Sequence, residues 1–250
     1  MGGEQETSKI YRRIDVLYTF FTSFFYVNFM GYAALYSGGK DSTLALWMLQ
    51  KEGYEVDKLI TVIPKRVDSY MFHKPNIHLV PQLAESMDVQ LVKVDTEGEK
   101  EKELNDLERA VSTLDTEGLI TGAVASNYQK DRIENIGDEF DLEVISPLWG
   151  MDQEKILKIL IENDFDTRIV SVAALGLDDS WLGRKIDKNC LEDLLTLRDK
   201  YRINVAGEGG EYETIVLGAP NYRWNFEITK INKEWDGKRG KIEVKGLKKV

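Results

Sequence analysis

Ser37-Gly38-Gly39-Lys40-Asp41-Ser42 is the stretch that decides the fold, because it joins an apolar run to a helical pattern. The apolar run covers residues 32–36, and the helical spacing covers residues 42–52. Glycines let the backbone turn tightly and point its N–H groups at an anion. A helix N-terminus adds partial positive charge and donors without intrahelical partners. Strand, glycine turn and helix in this order predict a phosphate site.

The side chains of this loop fit the same prediction. Lys40 supplies a full positive charge, and Ser42 is expected to cap the helix and contact a phosphate oxygen. Asp41 cannot bind phosphate directly, so we expect it to hold Mg²⁺. The alternative is an ordinary Gly-Gly turn before a capped helix. The spacing is neither that of a Walker A loop nor that of a dinucleotide-binding turn.

Outward from this loop, strand-like runs alternate with helical patterns as far as residue 149. Strands are predicted at residues 32–36, 59–63, 89–94, 118–124 and 143–149. Helices are predicted at residues 42–52, 80–87, 99–114 and 127–140. Such alternation is typical of βαβ units. The sequence therefore predicts an α/β fold with a parallel five-stranded nucleotide-binding sheet.

The pattern loosens after residue 150. It predicts a helix at 154–162, a strand at 168–175 and a helix at 191–201, then strands from 224 that turn at Asp236-Gly237. We expect a smaller α+β C-terminal substrate domain, 151–250, after a nucleotide-binding domain, 30–150. The boundary between them is soft.

Residues 1–29 differ from the rest, because two arginines precede a phenylalanine-rich apolar run. A signal peptide and a membrane span are two alternatives. A span over residues 16–39 would include the predicted strand and phosphate loop. We therefore favour an N-terminal extension outside the fold, with Met30 as the natural start.

Composition narrows the classes of function. The 250-residue chain has a net charge of −10, which disfavours nucleic acid as a partner because phosphate neutralisation needs cations. The single cysteine, Cys190, excludes an internal disulfide or a Cys-x-x-Cys metal pair. A cytoplasmic protein without a membrane partner is expected, and a homo-oligomer is left open.

A second constellation is Gly207-Glu208-Gly209-Gly210-Glu211-Tyr212-Glu213-Thr214. It stands between a strand-like run at 203–206 and an apolar run at 215–217, so we expect it to face a cleft. Three carboxylates in a shared site are costly without a counter-charge. They would suit Mg²⁺, a cationic substrate, or a base for incoming ammonium. The alternative is a solvated acidic turn.

The first loop resembles the PP-loop of the ATP pyrophosphatase family, and both loops together look like the diphthine–ammonia ligase family. Supporting segments occur at residues 69–73, 125–129 with Arg132 and Glu134, 146–150 and 177–184. The resemblance implies an adenine nucleotide alpha hydrolase-like fold. It also implies that ATP is split to AMP and pyrophosphate while ammonium amidates diphthine on elongation factor 2. Alternatives are a PP-loop ligase for another small acid or RNA, and a non-catalytic ATP or AMP sensor.

These interpretations yield a set of candidate site residues. The catalytic candidates are Lys40, Asp41, Glu208, Glu211 and Glu213, with Asp41 also the metal ligand. The ATP-binding candidates are Ser37, Gly38, Gly39, Lys40, Asp41 and Ser42. The substrate-binding candidates are His73, Tyr128, Gln129, Arg132, Trp181, Gly209, Gly210, Tyr212 and Thr214. Tyr212 and Trp181 are included because an aromatic face attracts a quaternary ammonium.

Overall fold

The computed structural model describes residues 30–64, 75–97 and 102–250. Residues 1–29 lie outside this part, so the expectations about them stay predictions. Gly31–Val250 forms one compact unit. The two-domain division at residue 150 is also a prediction that the fold leaves open.

The first half of this unit is built on a parallel sheet. Its strands are β1 (Tyr32–Leu35), β2 (Val56–Pro64), β3 (Gln90–Thr96), β4 (Gly118–Ile120) and β5 (Glu143–Ile145). They are hydrogen-bonded in the order β3-β2-β1-β4-β5, and every neighbouring pair is parallel. The predicted five-stranded α/β sheet is confirmed.

Helices connect these strands and continue beyond them. They are α1 (Lys40–Lys51), α2 (Val80–Met87), α3 (Lys102–Val111), α4 (Asn127–Phe140), α5 (Gln153–Glu162) and α6 (Lys188–Tyr201). Helix α1 begins two residues earlier than predicted, with Gly39 at the N-cap and no side-chain cap bond. Ser42 is therefore inside the first turn, and the prediction that it caps the helix is wrong.

The strand order places the site. Strand β1 has β2 on one side and β4 on the other. The chain therefore adds β2 and β3 on one side of β1 and then β4 and β5 on the other, and the order of the strands reverses between β1 and β4. In open parallel sheets a crevice forms at such a point, beyond the carboxyl ends of the strands. The loop from β1 to α1 and the loop from β4 to α4 meet there.

The second half carries an antiparallel sheet. Its strands are β6 (Asp166–Val172), β7 (Tyr212–Gly218), β8 (Phe226–Trp235) and β9 (Gly240–Lys249), in the order β7-β6-β9-β8. The predicted turn at Asp236-Gly237 joins β8 to β9, and Gly237 has a φ of 93°. Asp236 closes this turn, because its carboxylate accepts hydrogen bonds from the backbone of Lys238 and Arg239.

One hydrophobic core spans both halves. Leu44 and Leu46 of α1 belong to the same buried cluster as Ile169 of β6 and Val216 of β7. The Trp47 ring meets the Phe165 ring edge-on, with centroids 5.5 Å apart. This shared core fixes the position of β7 relative to the phosphate loop. Within the described part of the chain, every helix is too short or too polar to span a bilayer.

Candidate active site

The phosphate loop turns through Gly38, which has a φ of 75°. A side chain is disfavoured there both by this conformation and by space, since a Cβ would stand 2.8 Å from Leu83. Ser42 ties the loop to the helix: its hydroxyl accepts from Ser37 N at 3.3 Å and donates to Gly39 O at 3.2 Å. These two hydrogen bonds fix the loop against the first turn of α1.

Lys40 brings a buried charge to this turn. Its side chain is 5% exposed, and its ammonium lies 2.7 Å from Asp41 Oδ2 and 3.7 Å from Glu208 Oε1. Burial by itself lowers the pKa of Lys40, but the carboxylates of Asp41 and Glu208 outweigh it, and the net pKa is raised. Lys40 therefore stays charged, and it links the two loops predicted from the sequence.

The acidic loop is folded by its own side chains. Both oxygens of Glu211 accept backbone hydrogen bonds, from Asn204 N and from Gly209 N, each at 2.8 Å. Asn204 Oδ1 accepts from Ala206 N at 3.0 Å and from Glu208 N at 3.2 Å. These bonds hold the backbone that carries Glu208 toward Lys40.

One sequence-based prediction needs correction here, and one gains a second interpretation. Residues 203–206 do not form a strand, because the Asn204 side chain takes amides that a strand would pair in a ladder. Glu211, predicted as a catalytic carboxylate, accepts one backbone hydrogen bond at each oxygen and so helps to fold its own loop. Its catalytic role stays a prediction.

Tyr212 is buried at the floor of the site. Its hydroxyl donates to Val205 O at 2.6 Å, and burial raises the pKa of this phenol well above its usual value. The Lys40 ammonium lies 6.0 Å from the ring centroid. The cation nearest to this ring is thus supplied by the protein itself.

A cavity of about 340 Å³ lies where the two loops meet. Its lining includes the apolar residues Leu35, Ile60, Val62, Ile77, Ala123 and Ile133. It also includes residues of the phosphate loop together with Glu208 and Glu213. A nucleotide carries a flat apolar base as well as charged phosphates, so a lining of both kinds suits its chemistry.

The helix end also fits an anion. The first N–H groups of an α-helix have no intrahelical partner, and Gly39 provides no side-chain cap for α1. Together with the Lys40 ammonium they form a donor set suited to phosphate oxygens. Among the described residues no three His, Cys, Asp or Glu side chains form a cluster that could hold a metal.

Most predicted site residues line this one cavity. From the first loop they are Ser37, Gly39, Lys40, Asp41 and Ser42; from the second, Glu208, Gly210, Tyr212, Glu213 and Thr214; and from α4, Gln129. Gly38, Gly209 and Glu211 belong to the same loops but do not line the cavity. His73 lies outside the described residues.

Three further candidates do not line the cavity. Trp181 is 7% exposed in a short 3₁₀ turn, and the Arg184 guanidinium lies 4.5 Å from its ring. Arg132 stacks on Tyr128, with 3.5 Å between the guanidinium carbon and the ring centroid. One face of each aromatic ring therefore lies against an arginine of this chain. The substrate-binding roles of Trp181, Tyr128 and Arg132 stay predictions.

Sequence reasoning missed the loop that follows β4. Thr121, Gly122 and Ala123 line the cavity beside α1. A Cβ on Gly122 would stand 2.7 Å from the backbone of Asp41 and Ser42, so only glycine allows this approach. The signal was available, since Gly122 follows the end of β4 by two residues, and the loop after the strand next to β1 in such a sheet lies at the crevice.

The fold and the site define a PP-loop nucleotide-binding α/β protein. A family model described as diphthamide synthase N-terminal domain matches residues 30–144, and one described as diphthamide synthase C-terminal domain matches residues 152–250. Diphthine–ammonia ligases of Bos taurus and Homo sapiens are 35% and 34% identical in alignments 218 residues long, and each alignment covers 78% of this chain and 81% of the relative. The chain belongs to the diphthine–ammonia ligase family.

Relatives differ in length. The diphthine–ammonia ligase of Schizosaccharomyces pombe is 33% identical over 215 residues, and the match covers 35% of that protein. The chain thus spans about a third of the fission-yeast relative. A crystal structure of a predicted subunit of tRNA methyltransferase from Methanocaldococcus jannaschii is 17% identical with a TM-score of 0.39, covering 76% of this chain and 98% of that one.

Proposed function

We propose that this chain is an ATP-dependent ligase that amidates the carboxylate of diphthine on elongation factor 2, with free ammonium as the nitrogen donor. The observation that carries the proposal is the buried Lys40 ammonium, which lies between the phosphate loop and Glu208 of the acidic loop. Family membership supports the same reaction. A site for phosphates and a site for acid–base work thus share one cavity.

The reaction needs ATP because a carboxylate is anionic and its oxygen is a poor leaving group. A carboxylate oxygen attacks the α-phosphorus and pyrophosphate leaves, which gives an acyl-adenylate. Ammonia then attacks the acyl carbon, and AMP departs with the former carboxylate oxygen. Ammonium must first lose a proton, so a positioned carboxylate is required as base.

The residues of the cavity take complementary roles. Lys40 and the first turn of α1 hold the phosphates, and Asp41 contributes a carboxylate to Mg²⁺, which proteins usually bind through one or two carboxylates and the substrate phosphates. We assign the base to Glu208 or Glu213, because these two glutamates line the cavity and Glu211 does not. The same carboxylates offer counter-charge to the quaternary ammonium of diphthine.

The test is a reconstituted reaction. The full chain is mixed with ATP, Mg²⁺, ammonium and diphthine-bearing elongation factor 2, and AMP, pyrophosphate and the mass of the factor are measured. We expect AMP together with the mass change of a carboxylate-to-amide conversion, and loss of both on chelating Mg²⁺. Release of ADP, or AMP formation that depends on RNA or on another acid, would contradict the proposal. Nucleotide binding without any pyrophosphate release would indicate a sensor.

A further inference from the structure

The first turn of α1 is capped from a distant strand. Its N-cap residue, Gly39, has no side chain to accept a hydrogen bond. Thr214 of β7 lies 174 positions further along the chain than Lys40, and its hydroxyl accepts a hydrogen bond from Lys40 N at 3.1 Å. A threonine hydroxyl is a usual acceptor for the first N–H groups of a helix, but it normally comes from the N-cap residue itself.

A second contact fixes the same strand to the same loop. Val216 N donates to Gly38 O at 2.9 Å, two residues along β7 from Thr214. The carbonyl oxygen of Thr214 lies 3.5 Å from the place where a Cβ on Gly39 would stand. Strand β7 therefore runs alongside the phosphate loop and touches it at two successive glycines.

This arrangement affects which donors the loop can offer. The Lys40 N–H donates to Thr214. The next N–H groups of the first turn, on Asp41 and Ser42, also have no acceptor within the helix, and they are the backbone donors that the loop can offer to a phosphate. With one end of the turn held by β7, the loop keeps its conformation before a ligand arrives. A site ordered in advance binds more tightly, since less conformational entropy is lost on binding.

We propose that Thr214 is a positioning residue of the phosphate loop: its hydroxyl holds the first turn of α1 in the conformation that binds ATP. The inference rests on the proposed function, because it takes the phosphates of ATP to occupy this loop. Thr214 acts through the Lys40 backbone and needs no contact with the nucleotide. This assignment replaces the substrate-binding role that its place in the acidic loop suggested.

The experiment is calorimetric titration of the full chain with ATP and Mg²⁺. Loss of a capping acceptor in Thr214→Val should weaken ATP binding roughly five- to tenfold. Thr214→Ser keeps the hydroxyl and should stay within about twofold of the parent. If Thr214 only filled space, Thr214→Ser, which loses the methyl group and keeps the hydroxyl, would not bind ATP better than Thr214→Val. If Thr214→Val fails to fold by thermal melting, Thr214→Ala, which fits the available space, is compared with Thr214→Ser.

A matched control is available in the neighbouring strand. Thr167 of β6 is fully buried, and the structure gives its hydroxyl no hydrogen-bond partner among the described residues. Thr167→Val should therefore leave ATP affinity unchanged. It makes the same substitution in the same sheet and removes no contact to the loop.

The outcomes separate this inference from the proposed function. Unchanged ATP affinity in Thr214→Val, or equal losses in Thr214→Val and Thr214→Ser, would overturn the positioning role. If Lys40→Ala weakens binding while Thr214→Val does not, only the positioning role is lost. If Lys40→Ala binds ATP as tightly as the parent, the nucleotide lies elsewhere, and both the proposed function and the inference fail.

Discussion

At the residue scale, the site depends on a lysine whose charge is held by its neighbours. Lys40 is almost fully buried, a position that lysine rarely occupies without partners. Asp41 and Glu208 supply those partners and raise its pKa. Phosphate groups entering the cavity would meet an ammonium that is already charged and already in place.

We expect Lys40→Ala to lower the rate of AMP formation by at least ~100-fold, the usual scale for losing a preorganised charge at a reacting group. The fold should persist, because Asp41 and Glu208 keep 27% and 19% of their side chains exposed and stay hydrated. Single-turnover AMP formation and thermal melting measure the two effects. Lys158→Ala, in an exposed pair with Glu154, is the control and should behave as the parent. AMP formation near the parent rate in Lys40→Ala would rule out its role.

Glu211 is expected to act on stability before chemistry. Glu211→Ala removes the acceptor for two backbone N–H groups and should lower the free energy of unfolding by about 1–3 kcal/mol. Glu211→Gln retains one acceptor oxygen and should recover part of this loss. Glu192→Ala, on the exposed face of α6, should stay within about 0.5 kcal/mol of the parent. Urea denaturation measures all three.

One result would support the catalytic role predicted from the sequence. If Glu211→Ala kept the stability of the parent but lost amide formation alone, its carboxylate would be catalytic after all.

At the element scale, the sequence predicted the ends of some helices correctly and the end of strand β4 wrongly. Helices α2 and α4 match the predicted ranges 80–87 and 127–140. Strand β4 was predicted over 118–124 but ends at Ile120, because Thr121 turns the chain by accepting a hydrogen bond from Ala123 N at 3.3 Å. That early turn brings Gly122 against the first turn of α1.

Gly122→Ala should therefore damage the nucleotide site. Its Cβ would stand 2.7 Å from backbone atoms of Asp41 and Ser42, which cannot rotate away, so α1 must shift. We expect ATP affinity to fall at least ~10-fold and stability by about 1–3 kcal/mol, the usual cost of overpacking. Calorimetric titration and thermal melting measure both effects.

The comparator for this change is Gly31→Ala at the start of β1. Its Cβ would meet the Asp57 side chain, which is 39% exposed and can move. It should leave ATP affinity unchanged. Equal ATP affinity in Gly122→Ala and the parent would show that the β4–α4 loop does not fix α1.

At the scale of the whole molecule, the shared hydrophobic core determines whether the two sheets unfold together or separately. The Tyr36 and Tyr222 hydroxyls lie 2.8 Å apart and connect the end of β1 with the segment between β7 and β8. Buried residues of α1, β6 and β7 belong to one cluster. The sheets should therefore unfold together, although the sequence suggested a boundary near residue 150.

We expect one thermal unfolding transition for the full chain, with equal calorimetric and van't Hoff enthalpies. Differential scanning calorimetry measures this directly. Adding ATP and Mg²⁺ should raise the midpoint of the whole transition, since the ligand binds only the folded state. Two transitions, with ATP shifting only one, would support separate domains instead.

The sequence by itself determined the order of the elements, the parallel sheet and the place of the phosphate loop. These follow from local properties: apolar periodicity, glycines that permit a tight turn, and a lysine at a helix start. The roles of Thr214, Glu211 and Gly122 were decided only by the tertiary structure. Thr214 reaches Lys40 across 174 positions, and Gly122 matters because another backbone lies against it. Such contacts depend on how the two sheets pack, and no local pattern along the chain shows which distant residues that packing brings together.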